Sequence, residues 1–349
     1  MTDVYIVSDE LNSYFAGLVL ATRGFRVAIA GRDPAAVEVD IDGRQRTAHL
    51  TEVAEFSGDR RVGMVAAEGE DLQAGVGRVL EAGPVDLLVV VGGGTAGVVE
   101  AVEMAERRGV DPATVLVTSA FIWGGKLQDP VLLNSEKLGL LSGFLAQPHA
   151  DTVALAAEVI PTAKIVDIVS VGLASLNAIV HPVPMVLAAT EIERGADSRF
   201  FIDTFGNSVS EVVVALDAER VALGRQLGRE LPTFVDMLDT YYANEGISGS
   251  DVRERVNTFR AYQTQVIPHS FQHRYLTHEI AGNLAPMAAL GDLIGVDTPI
   301  MDALVTIGSV LSGRDLNVRA TAVAAEFTRL ARSSPCPRAQ VAADLGPDA

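Results

Sequence analysis

Apolar residues in the first half of the chain come in short unbroken runs. Val4-Tyr5-Ile6-Val7, Val27-Ala28-Ile29-Ala30, Leu87-Leu88-Val89-Val90-Val91 and Thr114-Val115-Leu116-Val117 do not alternate with polar residues. Runs of this length, rich in Val, Ile and Leu, are what strands covered on both faces require. Between them, Phe15 to Thr22, about Val98 to Arg107, and Thr152 to Val159 carry helical spacing, and Lys164 to Val171 predicts one more strand. Strands that alternate with helices predict a parallel sheet with helices on both faces.

From about Pro182 the apolar period changes to that of helices. Val209 to Leu227, Thr233 to Tyr242, Tyr275 to Leu293 and Ile300 to Leu311 follow it, punctuated by Pro232, Pro268, Pro286 and Pro299. No internal repeat interrupts this organisation. A chain of 349 residues exceeds one ordinary core. The expected architecture is an α/β, Rossmann-like parallel-sheet N-terminal domain over residues 1–172 and an all-α C-terminal domain over residues 173–333. Residues 334–349 read as a flexible tail.

The first strand–helix–strand has the outline of a dinucleotide-binding unit, but its glycines are missing. Where such units carry G-x-G-x-x-G, this chain has Ser8-Asp9-Glu10-Leu11-Asn12-Ser13. Glycines at that turn let the backbone approach a pyrophosphate at the helix N-terminus. A carboxylate at Glu10 repels phosphates unless it turns outward. Ser8, Asn12 and Ser13 still carry hydroxyl or amide donors. The second strand ends at Gly31-Arg32, where an NAD site places an acid and an arginine accommodates a 2′-phosphate. NADP is therefore the expected cofactor, ahead of NAD, with a solvated turn as the other reading of Arg32. A second glycine run, VVVGGGTAGVVEAV, sets Gly92, Gly93, Gly94 and Gly97 between a strand and a helix. It reads either as a direct phosphate contact or as a wall kept free of side chains beside a bound cofactor. The wall is favoured, because Thr118-Ser119 replaces the acid expected about 20 residues on.

Charge and cysteine narrow the partners. A formal net charge of −18 argues against nucleic acid and anionic membrane. The single cysteine, Cys336, allows no disulfide framework and points to a reducing compartment. The apolar window Ile165 to Ala189 is broken by Asp167, Asn177, His181 and two prolines, a poor membrane span. The N-terminus lacks the pattern of a signal peptide, so the expected location is the cytoplasm.

Two stretches carry candidate chemistry. In Ser175-Leu-Asn177-Ala-Ile-Val-His181-Pro182, the histidine sits in an apolar run before proline; alone, that is more often a core residue than a catalytic one. The segment from His269 through His273, Arg274 and His278 to Glu279 is the densest ionisable cluster in the chain. Arg274 suits bidentate binding of a carboxylate, and Glu279 suits orienting a histidine acid/base. The cluster lacks H-E-x-x-H, so no metal site is expected.

These residues carry a family resemblance. NAIVHP is similar to the N-A-x-x-H-P segment of the octopine/nopaline (opine) dehydrogenases, and HRYLTHEIAGNLAPMAALGDLIGVDTP resembles their H-R-Y-x-T-E-D block with its following segment. SVSEVVVALDAERVALGRQLG resembles the helix pair that opens their helical domain, so the likeness spans roughly residues 170 to 316. The resemblance implies NAD(P)H-dependent reductive condensation of an amino acid with a 2-oxo acid. It implies His181 as acid/base, Glu279 as its acidic partner and Arg274 as a carboxylate binder. Asn177, His273 and His278 complete the expected substrate-binding set. Departures from the family are the lost glycines, Glu279 in place of Asp, and His278 in place of an acid. Two other readings stay open, a non-redox enzyme with a metal in the histidine cluster and a catalytically silent binding subunit. Self-association as a homodimer is left open too.

Overall fold

The computed structural model describes residues 1–8, 10–67 and 69–334. Asp9, and the expected tail beyond Ser334 with its Cys336, lie outside the described residues. The chain forms two compact units, Met1–Gly93 with Glu100–Ile168, and Gly94–Val99 with the chain from Val169 onward.

The first unit is built on β1 (Thr2–Val7), β2 (Arg26–Ile29), β3 (Ala35–Ile41), β4 (Arg44–Leu50), β5 (Arg60–Val65), β6 (Leu87–Val90), β7 (Val115–Thr118), β8 (Trp123–Lys126), β9 (Val131–Glu136), β10 (Leu140–Phe144) and β11 (Ala163–Ile165). Among the described residues these make one sheet in the order β11-β10-β7-β6-β5-β1-β2-β4-β3-β9-β8. From β7 through β6, β5 and β1 to β2 all neighbours are parallel. This is the expected parallel sheet, and its apolar runs are buried at nearly every position.

The flanks are mixed. β10 runs antiparallel to β7, β3 pairs antiparallel with β4, and β8 pairs antiparallel with β9. The β3–β4 hairpin turns at Asp42-Gly43, both with positive φ, the primed geometry that matches strand twist. The expected strand Lys164 to Val171 is corrected. The sheet ends at Ile165, and Ile168–Gly172 is helical. A short apolar run buried on all sides reads the same whether it is strand or helix.

Gly17, in the helix Leu11–Thr22, lets that helix lie directly on the sheet. A Cβ there would stand 2.5 Å from Ile29 Cδ1. Close helix–strand packing is the task of the third glycine in the usual fingerprint. Here it is met one helical turn later.

The second unit is helical. Its longest helix, Asn207–Gln226, carries the fully buried Arg220. The expected helical stretch Tyr275 to Leu293 is Arg274–Glu279, a π-turn at Ile280–Leu284, and Ala285–Ile294. Pro286 supplies the cause, since its ring would strike the Gly282 carbonyl in a regular helix and a wider turn relieves that clash. Ile168–Leu187 is long and apolar enough to cross a membrane, yet 94% of its most apolar 18-residue stretch is buried inside the protein. It is divided into the short helices Ile168–Gly172, Leu176–Val180 and Pro182–Leu187.

Candidate active site

His181 is held between two short helices. Ser175 caps Leu176–Val180 by accepting the Ala178 N–H, and Pro182 opens Pro182–Leu187 immediately after the histidine. Proline suits that first position because its missing N–H would have no helical partner anyway. The imidazole is buried, 5% exposed, and Glu279, at the end of Arg274–Glu279, is 2% exposed. His181 Nδ1 lies 3.2 Å from Glu279 Oε1. Tyr275, four residues before Glu279 and so on the same helical face, stacks on the imidazole with ring centroids 3.7 Å apart at 15°. The ring is thus fixed by one edge and one face.

Burial pushes the His181 pKa below its ordinary value, against the pull of Glu279. Burial alone would raise Glu279, but the hydrogen bond to His181 and the charges of His181, His278 and Arg274 outweigh it and hold the carboxyl below its usual range. The resting pair is therefore neutral histidine beside ionised glutamate. Nδ1–H donates to the carboxylate, which leaves the lone pair on Nε2. That is the state of a general base ready to accept a proton.

Arg274 and His278 both act electrostatically on His181 and Glu279. His273 has a second task that the sequence did not reveal. It is the N-cap of Arg274–Glu279, its Nδ1 accepting the Tyr275 N–H at 3.3 Å, and burial lowers its pKa. Asn177 is half-buried on Leu176–Val180, where its carbonyl accepts the His181 N–H. His269 lies apart, exposed, with Nε2 3.2 Å from the Ala196 carbonyl. Among the described residues no three His, Cys, Asp or Glu are grouped so as to hold a metal ion. Tyr275 was missed as a functional residue, although its spacing to Glu279 was visible.

The candidate nucleotide residues lie in the first unit, apart from Gly94. Ser8 is corrected as a donor. Its hydroxyl donates to the Ala66 carbonyl and accepts the Glu10 N–H, so it shapes the turn. Glu10 is exposed and makes no side-chain cap at the start of Leu11–Thr22. Asn12 is half-buried one residue into that helix. Ser13 is buried, and its Oγ has no hydrogen-bond partner among the described residues. Arg32 is exposed, its guanidinium 4.7 Å over the Tyr14 ring, a cation–π contact that sets its direction. An orphaned hydroxyl in the first turn of a helix without a side-chain cap, with an arginine past β2, fits the phosphates of a dinucleotide.

Gly92 and Gly93 do not fit as a phosphate cradle. The Gly92 N–H goes to Thr118 Oγ1 and the Gly93 N–H to the Thr118 carbonyl. Gly94 opens the helix Gly94–Arg108, and a side chain, not a phosphate, occupies the space a Cβ would take. That side chain is Asn283, which sequence reasoning did not single out.

Residues 165–312 match the family model for the α-helical domain of NAD/NADP octopine/nopaline dehydrogenases. The opine dehydrogenase of Arthrobacter sp. (strain 1C) is 24% identical over 233 residues, covering 66% of this chain and 64% of that protein. Protein ocs of Agrobacterium tumefaciens (strain Ach5) is 27% identical over 150 residues, 42% of this chain and 41% of that one. The matched region thus spans less than two thirds of the length of either relative. Octopine dehydrogenase with NADH and L-arginine superposes with a TM-score of 0.72 at 14% identity, over 94% of this chain and 96% of that chain. Yersinopine dehydrogenase with NADP+ gives 0.62 at 11% identity, over 95% and 99%. At such identities the two structures show a common fold.

Proposed function

We propose, from the match of residues 165–312 to the α-helical domain of octopine/nopaline dehydrogenases, that this protein reductively condenses an amino acid with a 2-oxo acid using NADP(H). The buried pair of neutral His181 and ionised Glu279, with Nε2 left as the free base, carries this reading. Nε2 takes a proton from the substrate ammonium group, which frees the amine to attack the ketone. The imidazolium so formed, stabilised by Glu279, returns the proton to the carbinolamine hydroxyl, which departs as water and leaves an iminium. The nicotinamide cofactor, when bound, supplies the hydride that reduces this carbon–nitrogen double bond. Arg274 binds a substrate carboxylate, and the wall of Tyr275, Phe200 and Phe201 around His181 keeps water from the proton path.

Arg32, past the end of β2 where an NADP site accommodates the 2′-phosphate, supports NADP over NAD. Fluorescence titration of purified protein with NADPH and NADH tests this directly. Arg32→Ala is expected to weaken NADPH binding ~10- to 100-fold, the worth of a charge-assisted phosphate contact, and to leave NADH within about twofold. Binding of neither nucleotide at about 1 mM, the upper end of ordinary cofactor affinities, would sink the redox reading.

Glu279→Gln keeps the shape of the pair and removes its charge. Without that charge the imidazolium loses its stabiliser and the amide can select the wrong tautomer. The expected loss in kcat is ~10²- to 10⁴-fold, measured as NADPH oxidation with an amino acid and a 2-oxo acid. A loss of less than fivefold would remove Glu279 from the mechanism.

A further inference from the structure

Asn283 lies in the π-turn, four residues after Glu279, and is buried. Its Oδ1 accepts the backbone N–H of Thr95 at 3.2 Å, and its Nδ2 is 3.5 Å from Glu279 Oε2. These partners fix the amide orientation. The flipped amide would set its NH2 against the Thr95 N–H and its oxygen against a carboxylate. The other Glu279 oxygen, Oε1, holds His181. A continuous series therefore runs from the first turn of Gly94–Arg108 through Asn283 and Glu279 to the imidazole.

Gly94 belongs to the same device. A Cβ at that position would stand 2.2 Å from Asn283 Oδ1, and its φ is +61°. Only glycine leaves room for the amide there. This accounts for a glycine at position 94.

We propose that Asn283 is a positioning residue that locks the Glu279 carboxylate so that Oε1 faces His181 Nδ1, and that it is itself anchored on the first turn of Gly94–Arg108. A carboxylate bonded through one oxygen can swing about its last torsion. A second bond, at Oε2, removes that freedom and keeps the neutral imidazole in the Nδ1–H tautomer. The positive end of the helix polarises the amide toward the carboxylate. His181, Arg274 and His278 are the other ionisable groups that bear on Glu279. The catalytic meaning of this arrangement rests on His181 acting as acid/base, as proposed above.

The test is histidine-selective ¹⁵N NMR on the full chain, which has six histidines, with the His181 signal assigned by its loss in His181→Asn. The wild type is expected to show the Nδ1–H tautomer at neutral pH. Asn283→Asp retains an oxygen for the Thr95 N–H but, ionised, cannot donate to Glu279. It is expected to make His181 hold its proton about one pH unit higher or more, because a second carboxylate now faces the pair. Asn283→Ala is expected to populate the Nε2–H tautomer, and Gly94→Ala, which displaces the amide, to do the same. With activity as a second readout, Asn283→Asp should lower kcat ~10-fold with the cofactor KM within twofold. A role as helix cap alone predicts that Asn283→Ala keeps the wild-type Nδ1–H tautomer at His181, and that result overturns the proposal. The NMR readout needs no substrate, so a wild type without opine-forming activity would overturn the functional reading and leave this test standing.

Discussion

His181→Asn is expected to lower kcat/KM for NADPH-dependent condensation by ~10²- to 10⁴-fold, the usual worth of a general acid/base. Asparagine is the informative replacement. Its amide N–H can take the place of Nδ1–H toward Glu279, so the buried carboxylate keeps a donor and the fold is spared. It has nothing at the position of Nε2, so the proton acceptor is lost. Steady-state kinetics would show the loss in kcat, with substrate and cofactor KM little changed. A variant within tenfold of wild type would exclude His181 as acid/base. The reverse, oxidative reaction adds a pH signature, because there the amine must lose a proton to a neutral imidazole. Burial holds the His181 pKa below the ordinary 6.5. The acid limb of the oxidative profile should accordingly fall below pH 6.5, and it should be absent from the residual activity of His181→Asn.

Arg220→Met is expected to destabilise the protein by ~3–5 kcal/mol, the range for breaking a buried ion pair from one side. Arg220 is fully buried in Asn207–Gln226. Its Nε donates to Asp217 Oδ1 at 2.8 Å, Nη1 to the Leu173 carbonyl at 3.0 Å and Nη2 to the Pro232 carbonyl at 2.6 Å. Asp217 Oδ2 in turn accepts the Phe234 N–H at 2.7 Å. One guanidinium thus ties the chain just before the His181 helix to the loop before Phe234–Tyr241. Methionine fills much of the volume but leaves a buried carboxylate without its cation and two carbonyls without donors. Urea denaturation would record the change as a lower midpoint at similar slope. A loss under about 1 kcal/mol would mean that water or a repacked neighbour replaces all three donors.

Several features of this molecule were written in local sequence. Four of the five parallel strands, all but β5, were legible because a strand covered on both faces must be apolar at nearly every position, as Leu87-Leu88-Val89-Val90 is. In the second half, the helices Asn207–Gln226, Phe234–Tyr241 and Pro299–Ser312 were legible from their period. The segments holding His181, Arg274 and Glu279 were legible as motifs, since each is short and continuous. The flanking strands were not. β4, Arg-Gln-Arg-Thr-Ala-His-Leu, has few apolar residues, and its identity as a strand comes from its partner β3.

What the chain by itself determined, then, is its division into sheet and helices and the residue types able to do proton chemistry. These depend on neighbours a few positions apart. Tertiary structure alone decided what each polar group is for. It spent the Ser8 hydroxyl on Ala66, made His273 a helix cap, engaged the Gly92 and Gly93 amides with Thr118, and set Asn283 between Thr95 and Glu279. The physical reason is that a buried hydrogen-bonding group must find a partner within about 3 Å. In a folded chain that partner can stand 188 residues away, as Thr95 does from Asn283.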